Sequence, residues 1–595
     1  MKKSLVGLVV LIALGMTAKS QVKIGFEVSF IEPQAHYAEV QMDLSGLQKE
    51  YTDVKMPVWA PGSYLIREFE KNVEGFKASA AGKSLKAEKI DKNTWRVFHA
   101  NANAVKINYR VYAFEISVRT SFIDADHAFL SPTGIFMYPA GMLKSPSIVK
   151  IIPYKTWTKV STGLEPVSGK KFTYYSPDFD TLFDSPIEVG NQDVFEFEAS
   201  GVRHEVAMVG GGNYDPARLK VDMAKIVEQG TAMYGENPNK HYTFIVHHFL
   251  RGGGGLEHLN STVLGASRDQ YTSERGYLGF LELVAHEYYH LWNVKRLRPV
   301  ALGPFDYDKE NYTTNLWISE GFTAYYENKL MLRAGFKNEA EFVSGLATAV
   351  ANVENTPGAK VQSAADASFD SWIKFYRPNE NSNNSTVSYY AKGEVIGLLM
   401  DLEIANATKG KKSLDDVMKA MYEQCKKLKR GYTDAEFKAM VEKISGVSFT
   451  DFWAKYVNGT ASTDYVKYFG YAGINVKNEN EGKSIPYLGV ASRKIEGKIY
   501  IASVSRNSAA WEAGLNVNDE VISIDGVPVE AVIERMPAIT GKKVGDVIKV
   551  DVIRDGLPKS FEVKLKANPN IKLVAEINPN ATPQQVAVRK GWFGI

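Results

Sequence analysis

Apolar and polar positions alternate with a period of two through the first third of the chain. Val22–Phe30, His36–Leu44, Trp95–His99 and Val105–Phe114 each read as half-buried strands bounded by turn residues. Residues 21–190 are therefore expected to form an N-terminal antiparallel β domain. Within it, Pro57, Pro61 and Gly62 force a tight turn among the aromatics of Trp59-Ala60-Pro61-Gly62-Ser63-Tyr64. That turn is either a packed β corner or one wall of a binding cleft. From 191 to 470 the period lengthens. A strand-like run, His241–Leu250, and the glycines 252–255 lead into helical patterns at Gly276–Asn293, Leu316–Ala334, Glu339–Val353, Gly393–Ala405, Leu414–Leu428 and Asp434–Ile444. Asn379–Ser385 reads as a polar loop, and the region as α+β with its helices toward the C-terminal side. Short strands return over 484–566 (Tyr487–Ser492, Ile499–Val504, Glu520–Ile524, Val547–Arg554, Lys559–Lys564), with one small helix at Ser508–Ala513. Residues 567–595 show little periodicity and are expected to pack back on another domain.

The first twenty residues follow a different pattern. Met1-Lys2-Lys3, an apolar run from Leu5 to Met16 and small residues at Ala18 and Ser20 predict a secretory signal over 1–20, cut before Gln21. The run is too short to span a bilayer, and no later stretch reads as a span. With no cysteine near the cut, a lipoprotein anchor is excluded. The expectation is export to the periplasm or outside the cell.

Composition narrows the chemistry. The 595 residues are 45% hydrophobic and 23% charged, which suits several packed domains rather than a disordered chain. Lys and Arg total 71 against 68 acids, a net charge of +3 that gives no support for a nucleic-acid partner. The single cysteine, Cys425, excludes an intramolecular disulfide and a Cys-rich metal site. A metal would have to be held by histidine and carboxylate.

One helix supplies such a set. His286-Glu287-Tyr288-Tyr289-His290 is an HExxH sequence, in which residues four apart share a face and can bind one zinc ion. Glu287 then lies beside the open coordination position, placed to act as general base on water at the metal. The helix is apolar nearly all round, and two histidines with a glutamate in one buried turn are costly without a partner such as a metal. Catalytic zinc usually takes three protein ligands. Among the downstream acids, Asp306, Asp308 and Glu310 fall in a loop where a solvated role is the default. Glu320 stands among Leu316, Trp317 and Ala324, where a carboxylate needs a cation, and is expected as the third ligand. Glu327 is expected to steady a ligand histidine from behind.

His286–His290 followed by Asn315-Leu316-Trp317-Ile318-Ser319-Glu320-Gly321-Phe322 resembles the gluzincin metallopeptidases. The spacing, Trp59–Tyr64, Gly253-Gly254-Gly255-Leu256-Glu257-His258 and Tyr389-Tyr390-Ala391-Lys392-Gly393 resemble the glycyl aminopeptidase family, which carries a PDZ domain behind the catalytic one. The resemblance implies a thermolysin-like catalytic domain over 191–470 and a PDZ domain over 484–566. It implies a zinc-dependent aminopeptidase that removes small N-terminal residues, glycine above alanine, from peptides with a free N-terminus. Glu257 would hold the substrate's α-amino group, with Gly254 and Gly255 letting its backbone come close. His258 stands where aminopeptidase N relatives have asparagine. Tyr390 would donate to the oxyanion, with Tyr389 as its nearest rival and a substrate contact. Leu488, Gly489 and Val490 would form the PDZ carboxylate loop, open to a peptide or protein C-terminus. Two alternatives stay open: a zinc endopeptidase guided by the PDZ domain, and a PDZ peptide-binding protein on a non-catalytic zinc fold.

Overall fold

The structure, a computed structural model, describes residues 22–594 apart from 101, 531–532 and 534–536; the expected signal segment lies outside the described residues. The N-terminal strands assemble into an eleven-stranded and a four-stranded sheet around one hydrophobic core. Alternation sets which side chains go inside: strand Tyr37–Ser45 buries Ala38, Val40, Met42 and Leu44 on a single face. One pairing departs from the antiparallel expectation. Lys23–Ser29 runs parallel to Ser147–Ile152, because the chain crosses most of the domain before returning beside its first strand.

The Trp59–Tyr64 corner leaves this core and enters the next one. Trp59 and Tyr64 are buried among catalytic-region side chains, and Trp59 meets Trp372 edge-to-face at 5.1 Å. The Trp59 indole N–H donates to the Asp306 carbonyl at 2.8 Å. A second tie is the buried Glu188, which pairs with His127 at 2.8 Å and with His247, on strand His241–Phe249, at 2.9 Å.

The catalytic region is built on a mixed five-stranded sheet. Its order is Asp193–Ala199, Val202–Val209, His241–Phe249, Ser261–Ser267 and, at the edge, Gly255–Glu257. Helix Pro216–Tyr234, absent from the expected elements, packs on this sheet. Its ends carry visible signals: Asp215 caps the first turn, Pro216 opens it, and Gly235 closes it with φ 85°. Helix Tyr389–Ala407 runs through the middle of the helical core and is buried on nearly every side.

The six-stranded sheet of residues 490–564 has its own core. It is inserted in the catalytic region rather than appended to it. Strand Ile474–Asn478 pairs antiparallel with Leu573–Ile577, and Asn478 faces Leu573 directly. The segment after the PDZ unit, up to residue 594, therefore holds regular structure despite its weak periodicity. After strand Leu573–Ile577 comes helix Pro583–Phe593, whose Trp592 donates to the Tyr325 hydroxyl at 2.7 Å inside the catalytic core.

Candidate metal centre and active-site cleft

Helix Glu274–Tyr289 begins at Ser273, whose side chain accepts from the Gly276 N–H. It ends earlier than the hydrophobic pattern suggests, leaving His290 at its C-terminal cap. The break has a purpose. The chain turns so that the Asn293 carbonyl accepts from His290 Nδ1 at 2.7 Å, and Val294 takes φ 147°, a strained value for a β-branched residue. Asn293 also donates to the Ile318 and Ser319 carbonyls at 3.0 and 3.1 Å, tying this turn to the segment that carries Glu320.

Glu320 lies in a six-residue π-helical turn, Trp317–Phe322, ahead of helix Thr323–Arg333. That turn crosses helix Tyr389–Ala407 at Gly321 against Gly393, where a Cβ on either would strike the other's backbone. Two glycines thus bring the Glu320 turn and the Tyr390 helix together. Glu320 Oε2 stands 3.2 Å from His290 Nε2 and 3.9 Å from His286 Nε2. The ligand atoms of His286, His290 and Glu320 all lie within 4.8 Å of one another. Both Nδ1 atoms are occupied, His286 donating to Glu327 at 3.1 Å, so both Nε2 atoms are free to face a common ion. Two imidazoles and a carboxylate are a fitting donor set for zinc. Burial pushes the Glu320 carboxyl up, but the two histidines outweigh it and hold the group well below the usual range. Glu287 Oε2 is buried without a hydrogen-bond partner, an orphan that points to a ligand in the same space. Burial pushes the Glu287 carboxyl up to about 7 against the pull of both histidines.

The cleft around these groups measures ≈ 850 Å³. One wall is the edge strand. Gly255 packs against the Glu287 carboxylate, leaving no room for a Cβ. Two residues on, Glu257 is 4% exposed beneath Gly62 of the β corner, whose φ of 84° and close approach, with a Cβ position 2.7 Å from Glu257 Oε1, demand glycine. Glu257 is flanked by Lys295 at 4.0 Å, but Lys295 is already taken by Asp184 at 2.9 Å. His258 also donates to Asp184 at 2.9 Å, which explains a histidine there.

The opposite wall is the start of helix Tyr389–Ala407, capped by Ser388. The Tyr390 ring stacks at 6.2 Å and 21° to His286. Tyr389 corrects an expectation: it is fully buried beside Phe375 and does not line the cleft, because one helical step turns it about 100° from Tyr390. Leu488, Gly489 and Val490 lie in the inserted unit, and none lines the cleft. Leu488 is itself core, its carbonyl accepting from Ala510.

Several cleft residues escaped the sequence reading. Tyr376 donates to the Gly62 carbonyl at 3.2 Å, and Arg67 and Arg119 approach from the β domain. Nothing local in sequence marks the arginines or Asp184. Asn293 and Lys295 carried a weak signal, as polar residues just after a buried HExxH helix.

Residues 25–191 match the peptidase M61 N-terminal domain, 279–396 the M61 glycyl aminopeptidase and 486–565 a PDZ domain. The crystal structure of an aminopeptidase N family protein from Idiomarina loihiensis superposes with a TM-score of 0.89 at 29% identity, over 96% of this chain and 100% of that one. An M1 zinc metallopeptidase from Deinococcus radiodurans gives a TM-score of 0.46 at 12% identity, over 74% and 95%. A serine protease Do-like HtrA from Lactobacillus helveticus is 39% identical over 74 residues, 12% of this chain and 18% of that relative's length. The M61 glycyl aminopeptidase match takes in His286, His290, Glu320 and Tyr390, and with the M61 N-terminal and PDZ matches it marks the chain as a metallo-aminopeptidase that carries a PDZ domain.

Proposed function

We propose that this protein is an exported zinc aminopeptidase that releases small N-terminal residues, glycine above alanine, from peptides. The observation that carries the reading is the Glu257 carboxylate, buried in the cleft beside the His286, His290 and Glu320 cluster with no cation at hydrogen-bond distance among the described residues. Such a group binds a substrate α-ammonium and fixes the first peptide bond over the reacting centre. One zinc ion held by His286, His290 and Glu320 would polarise the scissile carbonyl and acidify a water. Glu287 takes the proton from the attacking water and delivers it to the leaving amine. Tyr390 donates its hydroxyl to the developing oxyanion, while Glu327 and Asn293 keep the two imidazoles in the tautomer that leaves Nε2 unprotonated. Gly62, closing over Glu257, supports an exopeptidase over an endopeptidase, because a longer chain would meet its backbone. For export, the support is the pattern of residues 1–20, and no helix among the described residues is long and apolar enough to cross a membrane. N-terminal sequencing of the protein from fractionated cells tests cleavage before Gln21.

The activity test is cleavage of glycyl peptides with free and N-acetylated amines, with a chelator control and Glu287→Gln. Equal cleavage of the acetylated peptides defeats the aminopeptidase reading. Turnover that survives chelation or Glu287→Gln defeats the zinc mechanism.

A further inference from the structure

Two cationic side chains reach into this otherwise anionic cleft. Glu257, Glu282, Glu287, Glu320 and Glu327 line it, yet Arg67 and Arg119 of the β domain line it too. Neither guanidinium is neutralised at close range among the described residues. The Arg67 carboxylate contact is Glu115, 4.0 Å away and 65% exposed; the Arg119 side chain takes the Gly255 carbonyl at 3.2 Å. The Nε atoms of both are buried without a hydrogen-bond partner. Arg67 also donates to Ser63 Oγ at 2.8 Å. Two half-buried guanidiniums in one cleft, each with an unpaired Nε–H, can hold an anion.

Its position along the edge strand says which anion. The Gly254 carbonyl accepts from the Gly265 N–H at 2.9 Å and the Leu256 carbonyl from Thr262 Oγ1 at 3.0 Å, both inward. By alternation, the backbone groups of Gly255 and Glu257 face the cleft. A peptide pairing antiparallel to this edge, its first residue opposite Glu257, lays its second opposite Leu256, so that a dipeptide's carboxylate reaches toward Gly255, about 7 Å on. Arg119 is anchored at that residue.

We propose that Arg119, with Arg67 in the same cleft, binds the C-terminal carboxylate of the substrate, so that the enzyme measures both ends and acts on dipeptides and tripeptides. This rests on the aminopeptidase reading, with Glu257 as the amine site.

The experiment compares kcat/KM for Gly-Ala, Gly-Ala-amide, N-acetyl-Gly-Ala and a glycyl hexapeptide in the zinc-loaded enzyme, Arg119→Ala and Arg119→Lys. In the unaltered enzyme, the free acid is expected to exceed its amide and the hexapeptide by at least about tenfold, mostly through KM, as a charge-assisted pair requires. Arg119→Ala should bring the acid-to-amide ratio near one, and Arg119→Lys should retain part of it. An amide cut as well as the acid by the unaltered enzyme overturns the proposal without any variant. So does an acid-to-amide ratio that Arg119→Ala leaves intact. Failure of the aminopeptidase reading looks different: N-acetyl-Gly-Ala is then cut as well as Gly-Ala, or neither is cut.

Discussion

Glu287 is held where water is scarce, and its buried, unpartnered Oε2 raises the group's proton affinity into the range of a working base. Glu287→Gln keeps the shape and removes the proposed base. It is expected to lower kcat by at least about a hundredfold while metal analysis still finds zinc. Glu320→Ala removes the proposed third ligand, and the same analysis should find the zinc lost. Glu257→Ala is expected to raise KM for free-amine peptides and narrow their advantage over acetylated ones; an unaltered advantage would remove Glu257 from amine binding. His286, Glu287, His290 and Glu320 were legible in the sequence because helical spacing and apolar neighbours are local facts. Glu257 was legible only through resemblance, since a glutamate after four glycines has no local demand for a partner. Arg67 and Arg119 were illegible: their neighbours in space come from another part of the chain.

Among the elements, the contact that sets the site is the crossing of the Trp317–Phe322 turn with helix Tyr389–Ala407. A methyl group at Gly393 would strike the Trp317 carbonyl and Gly321. Gly393→Ala is expected to cost about 1–3 kcal/mol by overpacking and to weaken zinc binding by moving Glu320, measured by denaturant unfolding and zinc titration. The HExxH helix has another dependence. His204 Nε2 meets the Tyr288 hydroxyl at 2.9 Å, with the imidazole fully buried. Burial holds His204 and His248 at a pKa of about 4, below the unfolded value of about 6.5. Between those values the unfolded chain binds protons that the folded chain refuses, so stability falls as pH drops from about 6.5 to 4 and levels off below. Each histidine contributes up to about 3 kcal/mol. Melting temperature should fall across that window, and His204→Gln should flatten the slope. Elements were legible where periodicity was strong: strand Ala104–Tyr112 and helix Leu414–Leu428 sit close to their expected spans. Helix Pro216–Tyr234 and the tail helix went unpredicted, the latter because its apolar face is weakly periodic, although the caps of the first and the box of Thr582 and Gln585 mark their ends.

At the scale of the whole molecule, the tail helix follows the PDZ unit in sequence and joins the catalytic core. Deleting residues 479–572 and joining Asn478 to Leu573 through an Asn-Gly turn should leave a folded enzyme that still cleaves small peptides, because the two strands already face each other. Ending the chain at residue 478 should instead cost the core Trp592 and Phe593, giving loss of cooperative melting and of activity. If both deletions behave alike, the strand pair is not what closes the catalytic fold. Sequence order concealed this arrangement, since it shows the PDZ unit only as something that follows. A module that comes back to the place it left can be gained, lost or exchanged in one genetic step, and the host need not relearn how to fold.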